Sequence, residues 1–210
     1  MDPIQIKQAL SEVRNLRKNI LDKQLYKGYS GRARALGGCV ALVASLIAGP
    51  GPLAPDAEDL FLMWGVVYLA AMLVNYGAVA AWILQRGNYR RCDHSVVFEM
   101  VPVWIVGGGL TLALWWNGEA DLLYGTWMCL FGLAQGLNRL RLPQNVAWVG
   151  GWYITCGLIC LIFAEGLFQQ PLVMGLVFFA GEFAAGFIMH NSQHGGGVTG
   201  FLKLEGSIDE

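Results

Sequence analysis

The chain has 210 residues, of which 55% are hydrophobic and 14% are charged, and its formal net charge is -1 at pH 7. Soluble globular domains usually carry about 25% charged residues. With so few charges, too little polar surface remains to cover a soluble globule. Composition therefore predicts an integral membrane protein, surrounded by lipid, and we expect no direct binding to nucleic acid.

Residues 1–30 predict a cytoplasmic or interfacial amphipathic helix. Apolar residues recur at helical spacing on one side of residues 3–27, and lysines and arginines fill the other side. The apolar positions are Ile6, Leu10, Val13, Leu16 and Ile20. This pattern is typical of a helix on the membrane surface, of a docking helix for a protein partner, or of half of a homotypic coiled coil. We expect no signal peptide, because the segment mixes apolar with charged residues.

Six apolar stretches predict an all-α fold, in which residues 31–190 form a bundle of six transmembrane helices. A helix needs about 20 residues to cross a bilayer. The stretches cover about 35–49, 60–84, 97–116, 122–138, 146–164 and 171–189. The first is short, so we expect it to borrow residues 31–34, whose arginines reach back to the lipid headgroups. Short loops favour a compact up-down bundle, and residues 191–210 form a short flexible cytoplasmic tail.

The basic residues predict the orientation. All 14 lysines and arginines lie in the N-terminal segment, the second and fourth loops or the tail. The other three loops carry only acidic charges, at Asp56, Glu58, Asp59, Glu119, Asp121 and Glu165. Because cytoplasmic loops are enriched in lysine and arginine, both termini are expected in the cytoplasm.

Glu182 is the sharpest candidate site. It lies well inside the last stretch, about 10 Å from the cytoplasmic boundary at 1.5 Å per residue. An ionisable residue at that depth is a functional hypothesis, here a group that responds to protons or binds a cation. The alternative is a protonated glutamate that hydrogen-bonds to Asn75, Gln135 or a tyrosine. We expect protonation, because the nearest cations should be Arg139 and Arg141, outside the spans. If one of these long side chains reaches inward, the glutamate is instead ionised and the pair is structural.

Three amides and one further acid complete the intramembrane polar candidates. Asn75, Gln135 and Asn138 lie in or near the spans, where amides usually join helices to one another. Lining a substrate path is the alternative for them. Glu99 lies at the start of the third span, where the helix dipole stabilises a negative charge.

Histidines and glycines offer weaker signals. His190 and His194 are four residues apart at the end of the last span and are weak metal candidates, since no third ligand is evident. We therefore expect no metal and no cofactor. The glycines at 107–109 and 37–38 follow no phosphate-binding pattern, so we expect them to permit close helix packing.

Three segments carry a family resemblance: Tyr29-Ser30-Gly31, Phe131-Gly132-Leu133-Ala134 with Asn138, Leu142 and Gly150-Gly151 after it, and Gly181-Glu182-Phe183-Ala184-Ala185-Gly186. With them the chain resembles a family of small bacterial six-helix membrane proteins whose genes often lie beside winged-helix regulators. The resemblance implies the six-helix fold and a place in the bacterial inner membrane. The family has no known activity, so the resemblance assigns no catalytic or binding role to residues of this chain. The chain departs from the family at Glu182, where relatives have histidine.

We expect a non-enzymatic regulator or assembly subunit that acts through a cytoplasmic or membrane protein partner, with self-association as a further alternative. The alternative function is a small transporter or channel that uses Glu182. An intramembrane enzyme ranks last. Such an enzyme needs paired carboxylates, a histidine-rich metal motif or a Ser/Lys dyad within the spans, and the sequence shows none of these.

Overall fold

The computed structural model describes residues 10–16, 30–49, 55–86, 95–137 and 145–194. All regular structure within these ranges is helical, which confirms the all-α class for this part of the chain. The first helix, α1, covers 10–16. The others are α2 (Gly31–Ile47), α3 (Ala57–Arg86), α4 (Ser95–Trp116), a 3₁₀ helix (Ala120–Leu122), α5 (Leu123–Leu137), α6 (Val146–Ile162) and α7 (Pro171–His194).

Helices α2 to α7 each coincide with one of the six apolar stretches, but α2 begins earlier than its stretch. The Ser30 side chain caps it by accepting a hydrogen bond from the backbone N–H of Ala33 at 3.3 Å. This cap places Arg34 one turn inside the helix.

Two of the described helices are long and apolar enough to cross a bilayer: α3 over Ala57–Gly77 and α7 over Pro171–Ser192. Shorter apolar helices cover Val101–Trp116 and Val146–Ile162. The chain is thus a helical protein with two candidate membrane spans, and the six-span bundle stays a prediction.

Each of the long helices packs on its neighbour in sequence. The last of them, α7, also packs on the first of them, α2. The most extensive contact joins α2 to α7, followed by the contact between α5 and α6. Smaller contacts join α2 to α3, α4 to α5 and α6 to α7. Between α3 and α4, Phe61 stacks on Trp115 and Tyr76 packs edge-on against Trp104.

Small residues bring α2 and α7 close together. The buried face of α2 consists of Gly31, Arg34, Ala35, Gly38, Ala41 and Ser45. A Cβ atom on Gly31 would collide with the carbonyl oxygen of Gly186, and one on Gly175 would collide with the Ser45 hydroxyl. Without these glycines, the two backbones could not approach so closely.

Paired glycines also bring α5 and α6 together. A Cβ on Gly132 would lie 2.7 Å from the carbonyl oxygen of Gly150, and a Cβ on Gly125 would lie 2.7 Å from that of Gly157. Each helix thus presents two glycines seven residues apart to the other.

The prediction of close packing at residues 107–109 is wrong for contacts within the described part of the chain at two of the three glycines. Among the described residues, a Cβ on Gly108 or Gly109 would meet no atom within 4 Å, and one on Gly107 would meet a Leu130 methyl at 3.5 Å. Gly38 does lie in a close contact, since a Cβ added to it would lie 3.0 Å from the Glu182 Cβ. A Cβ added to Gly37 would make only ordinary contacts with α3, at 3.7 Å from the Ala71 Cβ.

An aromatic core joins α3, α5 and the connection between α6 and α7. The Trp64 indole N–H donates to the Tyr124 hydroxyl at 2.8 Å, and that hydroxyl donates to the Phe168 carbonyl at 3.0 Å. The Asp121 carboxylate accepts from the backbone N–H groups of Gly166 and Phe168, at 2.9 and 3.1 Å. The Asp121 carboxylate and two backbone N–H groups of this connection are thereby paired within the protein.

Candidate functional site

A charged pair lies between the first and last of the long helices. Arg34 on α2 donates from Nε to Glu182 Oε2 at 2.6 Å and from Nη2 to Glu182 Oε1 at 3.0 Å. Arg34 is 7% exposed and Glu182 is 8% exposed. Two parallel hydrogen bonds between a guanidinium and a carboxylate form the strongest and most directional kind of ion pair.

Tyr153 extends this network to α6. Its hydroxyl lies 3.0 Å from Glu182 Oε1 and 3.4 Å from the Phe178 carbonyl oxygen, and its ring is fully buried. On the other side, Arg34 Nη1 contacts the Met189 sulfur at 3.8 Å. One carboxylate therefore connects α2, α6 and α7.

The local sequence explains why Arg34 faces inward. Gly38, Ala41 and Ser45 follow it by four, seven and eleven residues, so all four share one face of α2. That face meets α7, where Gly38 leaves room beside the Glu182 Cβ. The arginine side chain consequently lies in the seam between the two helices and ends at Glu182.

This geometry decides two expectations, of which the first is wrong and the second is confirmed. Arg34 reaches the carboxylate, so the expectation that no arginine within the spans pairs with Glu182 is wrong. The prediction that the carboxyl faces other helices, with a tyrosine among its partners, is confirmed by the contacts with Arg34 and Tyr153.

Removing one partner from a buried ion pair usually costs about 3–5 kcal/mol, because the other charge stays buried without compensation. Replacing both partners with well-packed apolar residues is often neutral. The network therefore specifies how α2 sits against α7 more than it adds net stability. Both oxygens of Glu182 accept hydrogen bonds from neighbouring side chains, so in this arrangement the carboxylate is held in place by Arg34 and Tyr153.

Two of the predicted amides, Asn75 and Gln135, make their described contacts outside this network. Asn75 donates from its side chain to the Ala71 carbonyl at 2.9 Å, within its own helix. Gln135 is buried, with its Cβ next to Gly150 on α6. Asn138 lies outside the described residues. Glu99 lies in the second turn of α4, and its side chain also lies outside the described part of the chain.

The two histidines end α7. His190 is buried, and its backbone lies against the start of α2 at Gly31. His194 is the last residue of α7, and its side chain lies outside the described part. Among the described residues, no three or more His, Cys, Asp or Glu side chains gather closely enough to hold a metal ion.

Sequence reasoning missed Arg34 and Tyr153. A signal for Arg34 was present, since an arginine followed at helical spacing by Gly38, Ala41 and Ser45 lies on a face of small residues. For Tyr153, which lies between apolar residues, the sequence offers no comparable signal. Comparison of the chain with protein-family models, with curated proteins and with solved structures finds no match.

Proposed function

We propose that the chain is a six-span membrane protein with both termini in the cytoplasm, and that it is a non-enzymatic regulator or assembly subunit acting through a protein partner. Apolar side chains exposed on every long helix support the membrane placement. One example from each of the six is Val43, Leu69, Ile105, Leu133, Ile159 and Leu176. Side chains of this kind are stable in lipid and costly in water.

The observation that carries the functional choice is the engagement of Glu182. A transporter or channel of the kind considered needs this carboxylate to bind a proton or cation. Instead, Arg34 and Tyr153 occupy both of its oxygens. A charge held in this way fits a rigid bundle that presents surfaces to a partner.

The outer surfaces of α3 and α4 support a partner within the membrane. In the most apolar window of α3, 17% of the residues are buried inside the protein, whereas 39% of the residues are buried in that of α7. Gly65 on α3 and Gly108 and Gly109 on α4 have open space where a Cβ would stand. Outward glycines let a second helix approach closely, which is the usual basis of helix association in membranes. A second copy of this chain is one such partner.

The transporter remains the second candidate because an ion pair lies inside the bundle. Ionisable groups within membrane bundles often mark ion or substrate paths. In that alternative, separation of Arg34 from Glu182 would free the carboxylate.

One experiment separates the two functions. A photo-reactive residue placed at Gly108 in the full chain, in native membranes, should cross-link to one protein or to a second copy. The same residue at Ile162, exposed on α6, is the matched control. Purified protein in liposomes should conduct no solute or protons. Flux that Glu182→Gln abolishes in a still-folded protein, without specific cross-linking, would establish the transporter instead.

A further inference from the structure

Helix α1 leaves an apolar stripe uncovered. Leu10, Val13 and Leu16 are 62%, 61% and 60% exposed, and the residues between them are exposed as well. The three side chains repeat every three residues and so lie along one face of the helix. Hydrated apolar surface of this kind is unfavourable, so the stripe requires a covering surface.

The N-terminal segment also has an excess of positive charge. Residues 1–28 contain six lysines and arginines against three aspartates and glutamates. Arg14 lies beside the stripe on the described helix. The cytoplasmic leaflet of a bilayer is negatively charged and attracts basic segments next to membrane helices. An apolar face flanked by basic residues is the pattern of helices that lie in the membrane interface.

The connection to α2 keeps α1 close to that leaflet. Helix α2 starts at Gly31, which is held against Gly186 of α7. Residues 17–30 can span at most about 50 Å even when fully extended. A surface within this distance is present at a high effective concentration, whereas a soluble protein must be recruited from solution.

Pairing with a second copy of the stripe fits less well. A coiled-coil seam needs apolar residues at alternating intervals of three and four. The repeat that passes through Ile6 and Leu10 would bring Arg17 and Gln24 into that seam. Leu10, Val13 and Leu16 instead lie within about 120° of the helix circumference, an arc that a flat surface can cover.

We propose that α1 lies flat on the cytoplasmic leaflet of its own bilayer, with Leu10, Val13 and Leu16 facing the acyl chains, and that the excess of positive charge in residues 1–28 attracts the segment to anionic lipid headgroups. This inference rests on the proposed membrane bundle with a cytoplasmic N-terminus. It adds a lipid class, anionic headgroups, that the bundle alone does not require.

The test uses the full chain in nanodiscs, with Cys92→Ser as background and Val13→Cys carrying an environment-sensitive dye. The background protein without Val13→Cys gives the labelling blank. Discs contain phosphatidylcholine alone or mixed with phosphatidylglycerol, and iodide quenching reports access from water. In the mixed discs, the quenching constant at position 13 should be several-fold lower than in neutral discs. High salt or Arg14→Glu should reverse part of this protection, since both weaken attraction to anionic lipid.

Asn15→Cys is the matched control, because residue 15 lies on the opposite side of α1 and should stay accessible in both discs. Equal access at position 13 in both lipids overturns the proposal, and so does equal protection in both, since anionic lipid would then have no role. Carbonate extraction of the unlabelled protein from native membranes tests the membrane placement separately. A protein embedded as a bundle resists extraction, whereas release of the protein would contradict the proposed bundle and not only the proposal for α1.

Discussion

Arg34 and Glu182 lie 148 residues apart in sequence and are joined by two hydrogen bonds, of 2.6 and 3.0 Å. The pair lies where α2 and α7 pack closely through small residues, and Tyr153 holds it from α6. This contact joins the first and the last of the long helices, α2 and α7, which are far apart in sequence. Arg34 is therefore the structural partner of Glu182.

Loss of the Tyr153 hydroxyl should destabilise the bundle modestly. In Tyr153→Phe, the ring still packs, but one donor to the buried carboxylate is lost. Hydrogen bonds to charged groups contribute about 1.5–3 kcal/mol, so we expect a decrease in that range in the free energy of unfolding. Denaturant unfolding in detergent measures it. Tyr68→Phe is the control, since the Tyr68 side chain is half exposed. Equal effects of the two changes would contradict the role assigned to Tyr153.

The α5–α6 seam should reject even one added methyl group. In Gly132→Ala, the new Cβ would lie 2.7 Å from the Gly150 carbonyl oxygen, and the backbones must separate. We expect a loss of about 1–3 kcal/mol, as for overpacked cores. Gly108→Ala adds the same methyl to an open helix surface and should leave the unfolding free energy unchanged or slightly higher. The reverse order of the two effects would disprove the packing described for this seam.

Cysteine labelling tests the predicted orientation. Cysteines introduced at Asp56 and Glu119 should react with a membrane-impermeant thiol reagent applied to intact cells. Cys92 should react only after the inner face is opened, because its loop carries basic residues. A protein with Cys92→Ser and no introduced cysteine gives the background. Labelling of the Asp56 position only from inside would reverse the orientation.

The positions of the long helices could be predicted because each is a run of apolar residues long enough to stand out from its neighbours. The partner of Glu182 could not, because it depends on which helices meet. The sequence predicts that residues 31–34 extend the first span, and α2 begins at Gly31 as expected. It also predicts that the arginines there turn back to the lipid headgroups, and this is wrong for Arg34, which pairs with Glu182.

For the glycines, too, the sequence predicts that helices pack closely but not which residues make the contacts. Their number indicates close packing somewhere in the bundle, but not which of them face another helix. Gly132 and Gly150 meet across a seam, whereas Gly108 and Gly109 face outward. Composition cannot distinguish these cases, because the difference lies in the rotation of each helix about its axis.

The central claim is that Glu182 serves as the partner of Arg34, and a double-mutant cycle with Arg34→Met and Glu182→Gln tests it most directly. Each single change leaves one polar partner buried, so each should lower the unfolding free energy in detergent by about 3–5 kcal/mol. The double variant should lose less than the sum of the two, with a coupling of about 0.5–3 kcal/mol. Glu165→Gln, at an exposed site, controls for the amide substitution. Additive effects of the two changes, or a Glu182→Gln protein as stable as wild type, would contradict the claim.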